Sequence, residues 1–471
     1  MGKQATGVYA SNFRNRFDTH AMVLDCAQRP IISSLVPHLL RLSDLPSGAN
    51  LMVAVSTLAG YNQEDSVVLN QSSLDRGMFA TTVYHTIYEQ VHKNPVSGEQ
   101  EEYYAPMDED VVQQTSLNYS KLTPSGFPAP ETVLTGGDVV IGKYMPQKSG
   151  GYTDESVALR TSEGGKLDAV VSSATHGKHA INGDGYGFCQ VRLRESRSPM
   201  IGDKVASRAG QKGTIGMVMR QEDLPHTADG LVPDLIINPH ALPSRMTVGQ
   251  ILEGVLGKAC CMSGSYGDST PFDRSSASEA VFDALARVGA ERHGEEVVFD
   301  PRTGRQCVAT MFVTPTFYQR LKHQVVDKVH GRGASGPMVL LTRQPAEGRA
   351  RDGGLRVGEM EIECLLAHGI MRFLRERFMD CSDGFDVDVC RACGAIVSIN
   401  IEAKVHTCSK CGNDRNFLRV QIPYAMKLML QECEGMGVTA SLAGETTRRA
   451  NNRLTDHASR AKSPSVGRSS K

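Results

Sequence analysis

Four cysteines are spaced for a metal. Cys390 and Cys393 form one Cys-x-x-Cys pair and Cys408 and Cys411 a second, with 14 residues (394 to 407) between the pairs. Each pair can turn two thiolates toward one ion, and two pairs complete a tetrahedral set around Zn²⁺. Four protein ligands leave no open position, so the expected role of that zinc is structural. His406 is an alternative ligand within the gap, and Cys381 lies nearby outside the pattern. The other cysteines, among them Cys260, Cys261 and Cys364, sit in apolar stretches and read as buried thiols. Paired spacing in a chain of 471 residues favours metal over a disulfide scaffold, and hence a reducing, intracellular compartment.

Adjacent carboxylates Glu64 and Asp65 follow an apolar run and a Gly-Tyr-Asn turn. Mg²⁺ takes one or two carboxylates together with phosphate oxygens and water. On an extended backbone neighbouring side chains point to opposite faces, so the turn must re-aim the pair if both are to serve one ion. Taken alone, Glu64-Asp65 is equally a solvated acidic turn. The segment from Gly202 to Gly216 (GDKVASRAGQKGTIG) sets Lys204, Arg208 and Lys212 among small residues, where a phosphate can approach the backbone closely. Arg245 lies just before a helix expected to start at Thr247, with Thr247 and Gln250 as a capping box and Ile251, Leu252, Val255 and Leu256 facing inward. A helix start favours anions, and arginine adds a bidentate donor. A glycine-rich stretch from Lys322 to Arg356 carries Lys328, His330, Arg349, Arg351 and Arg356 with no Phe, Tyr or Trp between, which suits phosphate contact rather than base stacking.

These residues need elements to hold them. Leu51–Thr57 and Ser66–Asn70 read as buried strands. Residues 81–197 are Tyr-rich, Gly-rich and acidic and read as a β-rich insertion, and residues 356–378 as one amphipathic helix with Ile362, Leu365, Leu366, Phe373 and Leu374 on one face. From Thr446 the chain holds seven Lys or Arg against one Asp and reads as a disordered basic tail. The formal net charge is −1, so the whole chain has no bulk attraction for polyanions and any nucleic-acid site must come from local clustering. No apolar run approaches the roughly 20 residues of a membrane span.

Five motifs then stand in one order: GYNQEDSVVLNQSSLDRGMF around Glu64-Asp65, GDKVASRAGQKGTIG, VPDLIINPHALPSRMT, TRQPAEGRARDGGLRVGEME and the paired cysteines. Together they resemble the carboxyl-terminal half of the second-largest subunit of multisubunit, DNA-dependent RNA polymerases, over residues 1 to about 442. The GYNQEDS form is more similar to RNA polymerase II and large-DNA-virus polymerases than to polymerases I and III.

The resemblance implies an α+β, multidomain chain. Residues 1–80 and 198–355 would form a hybrid-binding domain around a double-psi β-barrel, and 81–197 an inserted wall. Residues 356–378 would be the anchor helix, 379–445 a zinc-binding clamp segment, and 446–471 the tail. Glu64 and Asp65 match the acidic pair at the nucleotide-borne Mg²⁺, Lys204 and Lys212 lysines near the RNA 3′ end and incoming nucleotide, and Arg245 an arginine on the triphosphate. Arg208, Gln211, Lys328, His330, Arg349, Arg351, Asp352 and Arg356 are expected at nucleic acid.

The implied activity is template-directed RNA synthesis by two-metal phosphoryl transfer, with Mg²⁺ shared with the largest subunit. No Asn-Ala-Asp-Phe-Asp-Gly-Asp motif occurs here, so the chain is expected to be inactive alone. The family's protrusion, lobe, fork and external domains would precede Met1, which implies a split gene, a fragment or an incomplete gene model. Expected partners are the largest subunit, a separately encoded amino-terminal half, assembly subunits, DNA template, RNA–DNA hybrid and nucleoside triphosphates, with no membrane. The expected location is the nucleus, or a viral factory or virion. A subunit-derived zinc-ribbon binding or assembly protein without catalysis is the alternative; it would need none of Glu64, Asp65, Lys204, Lys212 and Arg245. A self-contained metal phosphohydrolase would need a His/Asp cluster that the sequence lacks.

Overall fold

The computed structural model describes residues 1–93, 96, 98–104, 117–146, 151–160, 163–172, 186–272, 278–397 and 407–442. His406 and the tail from Thr446 lie outside the described residues. The architecture is mixed α+β and multidomain, with two compact units, 1–328 and 329–471.

The centre of the first unit is a sheet that closes on itself. Its strands are β1 (Ala49–Val55), β2 (Ser66–Asn70), β3 (Lys204–Ser207), β4 (Lys212–Met219), β5 (Leu235–Ile237) and β6 (Met311–Arg320). They run in the order β3-β4-β2-β5-β1-β6, and β6 pairs back onto β3, Val205 opposite Arg320. Two pairings are parallel, β4 with β2 and β5 with β1; the others are antiparallel. Leu51, Val53, Val67, Leu69, Val205, Ile215 and Leu235 fill one side, while Ala54, Val68, Ile236 and Val313 are buried on the other. Burial on both faces explains why β1 and β5 read as unbroken apolar runs rather than alternating ones. Both expected strands near Glu64 are present, at Ala49–Val55 and Ser66–Asn70.

Between β2 and β3 the chain makes a second, five-stranded antiparallel sheet, ordered His20–Leu24, Thr81–Gln90, Phe188–Arg197, Gly165–Ser172 and Val133–Leu134. The insertion is β-rich, as its composition suggests, but its sheet takes an edge strand from upstream of residue 81. Thr81–Gln90 and Phe188–Arg197 pair along ten residues. The two ends of the insertion are therefore zipped together, and the chain returns to the barrel within a few residues of Lys204.

Helix α1 (Val248–Ser263) lies against β6. A Cβ at Gly254 would stand 2.3 Å from Thr314 Oγ1, so glycine permits that approach. The expected capping box does not form. The Thr247 hydroxyl accepts from Gln211 Nε2 (2.6 Å), and the Gln250 side chain is buried against Ser207 Oγ and Tyr318 OH (3.0 and 3.3 Å). Tertiary hydrogen bonds outcompete the local reciprocal pair. Ile251, Leu252 and Leu256 are half-buried, and Val255 is fully buried.

In the second unit the expected single helix over 356–378 is broken. Glu359–His368 ends at Gly369, in the left-handed region at φ 79°, and Met371–Arg375 leads into a π-helical stretch, Glu376–Asp383. Within the chain Leu374 is buried but Leu366 and Phe373 are exposed. Three antiparallel strands follow, Gly384–Cys390 flanked by Ile396–Val397 and Phe417–Pro423, around Val387, Val389 and Ile422. The thiols divide differently from expectation: Cys260 is buried, whereas Cys261 and Cys364 are exposed, and the helix that carries Cys364 buries no residue. Among the described residues no helix is long and apolar enough to cross a membrane.

Candidate functional site

The turn between β1 and β2 carries Glu64 and Asp65, both in the left-handed region at φ 45° and 69°. Side chains other than glycine and asparagine rarely take this conformation, and two in succession mark a strongly determined backbone. Buried Asn62 holds the turn. Its Oδ1 accepts from the Leu58 amide (3.1 Å) and its Nδ2 donates to the Ser56 carbonyl (2.6 Å). The Asp65 carbonyl accepts from the Thr214 amide (3.0 Å), tying the turn to β4. The turn thus takes both carboxylate residues off the extended backbone of the strands on either side.

Asp65 is ion-paired with Arg245 Nη2. The Nη1 of Arg245 donates to Gln211 Oε1 (3.0 Å), and Gln211 Nε2 donates to Thr247 Oγ1 (2.6 Å) and the Ala241 carbonyl (3.2 Å). Asp65, Gln211 and Lys212 line one recess with Asn238, Ala241 and Leu242. Three motifs thereby meet at one mouth of the barrel: Asp65 lies 180 residues from Arg245, and Gln211 lies 34 from it.

Lys204 and Lys212 share a face of the β3–β4 hairpin, where Lys204 pairs with Thr214 and Ala206 with Lys212. Beside them stands His323, whose Nε2 lies 2.9 Å from Gln4 Oε1. Burial lowers the proton affinity of this imidazole, and the ammonium groups of Lys328, Lys204, Lys322 and Lys212 lower it further. The charges of four lysines therefore act on one imidazole, and the Leu321 amide, two residues before it, donates to the Lys204 carbonyl (2.9 Å). Lys322 and His323 belong to the expected basic stretch, but sequence alone does not place them beside Lys204.

Arg208 points elsewhere. Its guanidinium is bound to Glu253 (2.6 Å) and the Ile32 carbonyl (2.8 Å) and lies over the Phe317 ring. The remaining nucleic-acid candidates divide between the units. Lys328 closes the first, and His330, Arg349, Arg351, Asp352 and Arg356 lie in the second. There His330 Nε2 sits 2.6 Å from the Gly353 carbonyl oxygen. The Gly354 amide donates to the Ala346 carbonyl (2.7 Å), and Arg332 donates to the carbonyls of Pro337 and Asp352. This compact loop leaves Arg349, Arg351 and Arg356 exposed. Sequence reasoning missed the clamp that holds the loop: Arg343 lies over the rings of Tyr424 (4.4 Å) and Phe385 (5.3 Å).

The four paired cysteines converge. Their Sγ atoms all lie within 4.8 Å of one another, Cys390 to Cys411 at 3.5 Å and Cys393 to Cys408 at 3.6 Å. Tetrahedral zinc with Zn–S of about 2.3 Å requires S···S of about 3.8 Å, so the set fits a bound ion. Each knuckle ends in a left-handed glycine, Gly394 and Gly412, whose amide donates to the carbonyl of the first cysteine (2.8 Å in both). Burial tends to raise the Cys390 thiol, but hydrogen bonds from Asn413 and the amides of Cys393 and Ala392 outweigh it and bring it down to about 6. Cys408 is lowered as well, whereas Cys393 and Cys411 are raised, so two of the four sulfurs favour the thiolate form that a cation binds.

Residues 1–351 match the family model for RNA polymerase Rpb2, domain 6, and residues 353–445 that for RNA polymerase Rpb2, domain 7. The chain belongs to the Rpb2 family of RNA polymerase second-largest subunits. It is similar to DNA-directed RNA polymerase II subunit RPB2 of Encephalitozoon cuniculi, 45% identical over 94% of this chain and 39% of that protein. DNA-directed RNA polymerase subunit 2 of Acanthamoeba polyphaga mimivirus is 39% identical over 95% of this chain and 37% of its own length. DNA-directed RNA polymerase subunit Rpo2 of the archaeon Saccharolobus solfataricus is 39% identical over 94% and 40%. The chain spans about two-fifths of the length of these Rpb2-family relatives.

Proposed function

We propose that this chain supplies the nucleotide- and hybrid-facing part of a DNA-directed RNA polymerase, and that it acts only within a multisubunit complex. The observation that carries the proposal is the meeting of Asp65, Arg245 and Lys212 at one mouth of the closed sheet. A binding module without catalysis has no need of a carboxylate, a guanidinium and an ammonium brought together from three separate motifs.

In this reading the six-stranded ring is the double-psi barrel of a hybrid-binding domain (1–80 and 198–355), interrupted by the wall (81–197). Residues 356–378 are the anchor, and 379–445 the clamp segment, with zinc on Cys390, Cys393, Cys408 and Cys411. Arg245 holds the triphosphate. Lys212 and Lys204 neutralise charge at the reacting phosphate and RNA end, where one preorganised donor contributes about 10²–10³-fold in rate. Glu64 and Asp65 would hold the nucleotide's Mg²⁺ through one or two carboxylates, and that ion would supply further charge neutralisation. Lys328, His330, Arg349, Arg351, Asp352 and Arg356 face nucleic acid. The partners are a largest subunit bearing the other metal ligands, the rest of the second-largest subunit and assembly subunits, in the nucleus or a viral factory.

The test is to purify the complex that forms around the tagged chain and assay RNA synthesis on a DNA template. RNA made by the complex and none by the chain alone is expected. Synthesis by the isolated chain, or a complex lacking a second large subunit, would overturn the proposal.

A further inference from the structure

The side chain of Gln211 is committed to protein atoms on every side. The residue is buried, at 8% exposure. Both amide hydrogens are used, toward Thr247 Oγ1 at 2.6 Å and the Ala241 carbonyl at 3.2 Å, and Oε1 accepts from Arg245 Nη1 at 3.0 Å. Its main-chain carbonyl accepts from the Ser207 amide (3.2 Å) and so closes the β3–β4 hairpin end. Gln211 therefore bridges the hairpin that bears Lys212 to the loop that bears Arg245. The guanidinium has one fixed side, toward Gln211, and one open side, toward Asp65. The pair is partly solvated, with side-chain exposures of 36% for Arg245 and 40% for Asp65.

We infer that Gln211 is a positioning residue for Arg245, and that Asp65 is a resident counter-ion on Arg245 which a phosphate of the incoming nucleotide displaces. The inference rests on the proposed function. An exposed ion pair contributes little, so exchanging Asp65 for a more highly charged phosphate has a small cost. The buried Gln211 contact is the one that survives the exchange and fixes where the second guanidinium nitrogen points. Released from Arg245, Asp65 has both oxygens free on a turn whose backbone does not need to move, since the turn is held by Asn62 and the Thr214 amide.

The experiment is a double-mutant cycle in the assembled polymerase on an RNA–DNA scaffold. It reads KM and kcat for single-nucleotide addition, and the equilibrium Kd of a non-hydrolysable nucleotide from competition with a fluorescent one. Gln211→Met, similar in length and unable to hydrogen-bond, should raise KM and Kd about 3- to 10-fold, the net contribution of one typical hydrogen bond. The rise should fall on KM more than on kcat. In an Arg245→Ala background Gln211→Met should add nothing, because its effect passes through Arg245. If Gln211→Met prevents assembly, Gln211→Glu replaces it. That variant puts a second carboxylate on Arg245, and its larger rise in KM should likewise vanish beside Arg245→Ala. Arg245→Ala with unchanged KM and Kd would count against the functional reading itself. Arg245→Ala with weakened binding, but a Gln211 effect that is absent or fully additive, would overturn the positioning role and leave that reading standing.

Discussion

Removing Asp203 should destabilise the barrel more than any single exposed change near the site. Among the described residues Arg320 is the largest fully buried side chain, and it is 1% exposed, as is Asp203. Asp203 Oδ2 accepts from Arg320 Nη2 at 2.7 Å and from the Met200 amide at 3.3 Å, and Oδ1 accepts from the Val325 amide at 2.9 Å. Arg320 also donates to the carbonyls of Phe79 and Arg197, both at 2.8 Å, while its Nε makes no hydrogen bond. Asp203→Ala would leave a buried guanidinium without a counter-charge and two amides without acceptors. Breaking one side of a buried pair costs about 3–5 kcal/mol. Asp203→Asn should rescue little, since an amide oxygen kept on Val325 turns an NH₂ toward Arg320. The joint change Asp203→Leu with Arg320→Met should cost clearly less than Asp203→Ala, because no charge is then stranded. The chain contains no Trp, so urea unfolding is followed by far-ultraviolet circular dichroism rather than indole fluorescence. A loss under about 1 kcal/mol for Asp203→Ala, or a double variant worse than the single, would refute the argument.

Purified protein should hold one Zn²⁺ per chain, lost on Cys408→Ser; metal analysis showing no zinc, or zinc unaffected by that change, would count against the site. Burial alone would raise the Asp138 carboxyl, but hydrogen bonds from Lys121 (2.6 Å), the Thr135 amide (2.7 Å) and Asn118 (2.7 Å) hold it below the ordinary range. Its stabilisation is therefore fully present above an unfolded-state pKa of about 3.9 and is lost as pH falls through the lower folded value, so Asp138→Asn should cost stability at pH 7 and progressively less below pH 4 in denaturant titrations. A Cβ at Gly213 would stand 2.7 Å from Val67 Cγ1 and 2.8 Å from the Asp65 carbonyl oxygen, so Gly213→Ala should shift the Asp65 turn and weaken nucleotide binding while subunit assembly, read by size-exclusion chromatography, is retained.

The chemistry was more legible in the sequence than its placement. Metal spacing is local, so Cys390, Cys393, Cys408 and Cys411 announce their cluster by number alone. Strands buried on both faces, such as Leu51–Val55, stand out as apolar runs for the same reason. The Asp65–Arg245 pair joins residues 180 apart and depends on β4 lying parallel to β2, a long-range pairing with no local pattern. The capping box failed because Thr247 and Gln250 each had a stronger distant partner. The helix over 356–378 failed because helical spacing of Leu366 and Phe373 carries no information about the stop at Gly369. Arg208 looked like the neighbouring cations in sequence, yet Glu253 and Phe317 hold it.

Single-nucleotide extension on a preassembled RNA–DNA scaffold tests the central claim most directly. Lys212→Ala and Arg245→Ala should each slow addition by about 10²–10³-fold while the complex still assembles and holds the scaffold. Full speed in both variants would contradict the claim that this chain furnishes part of a polymerase active site.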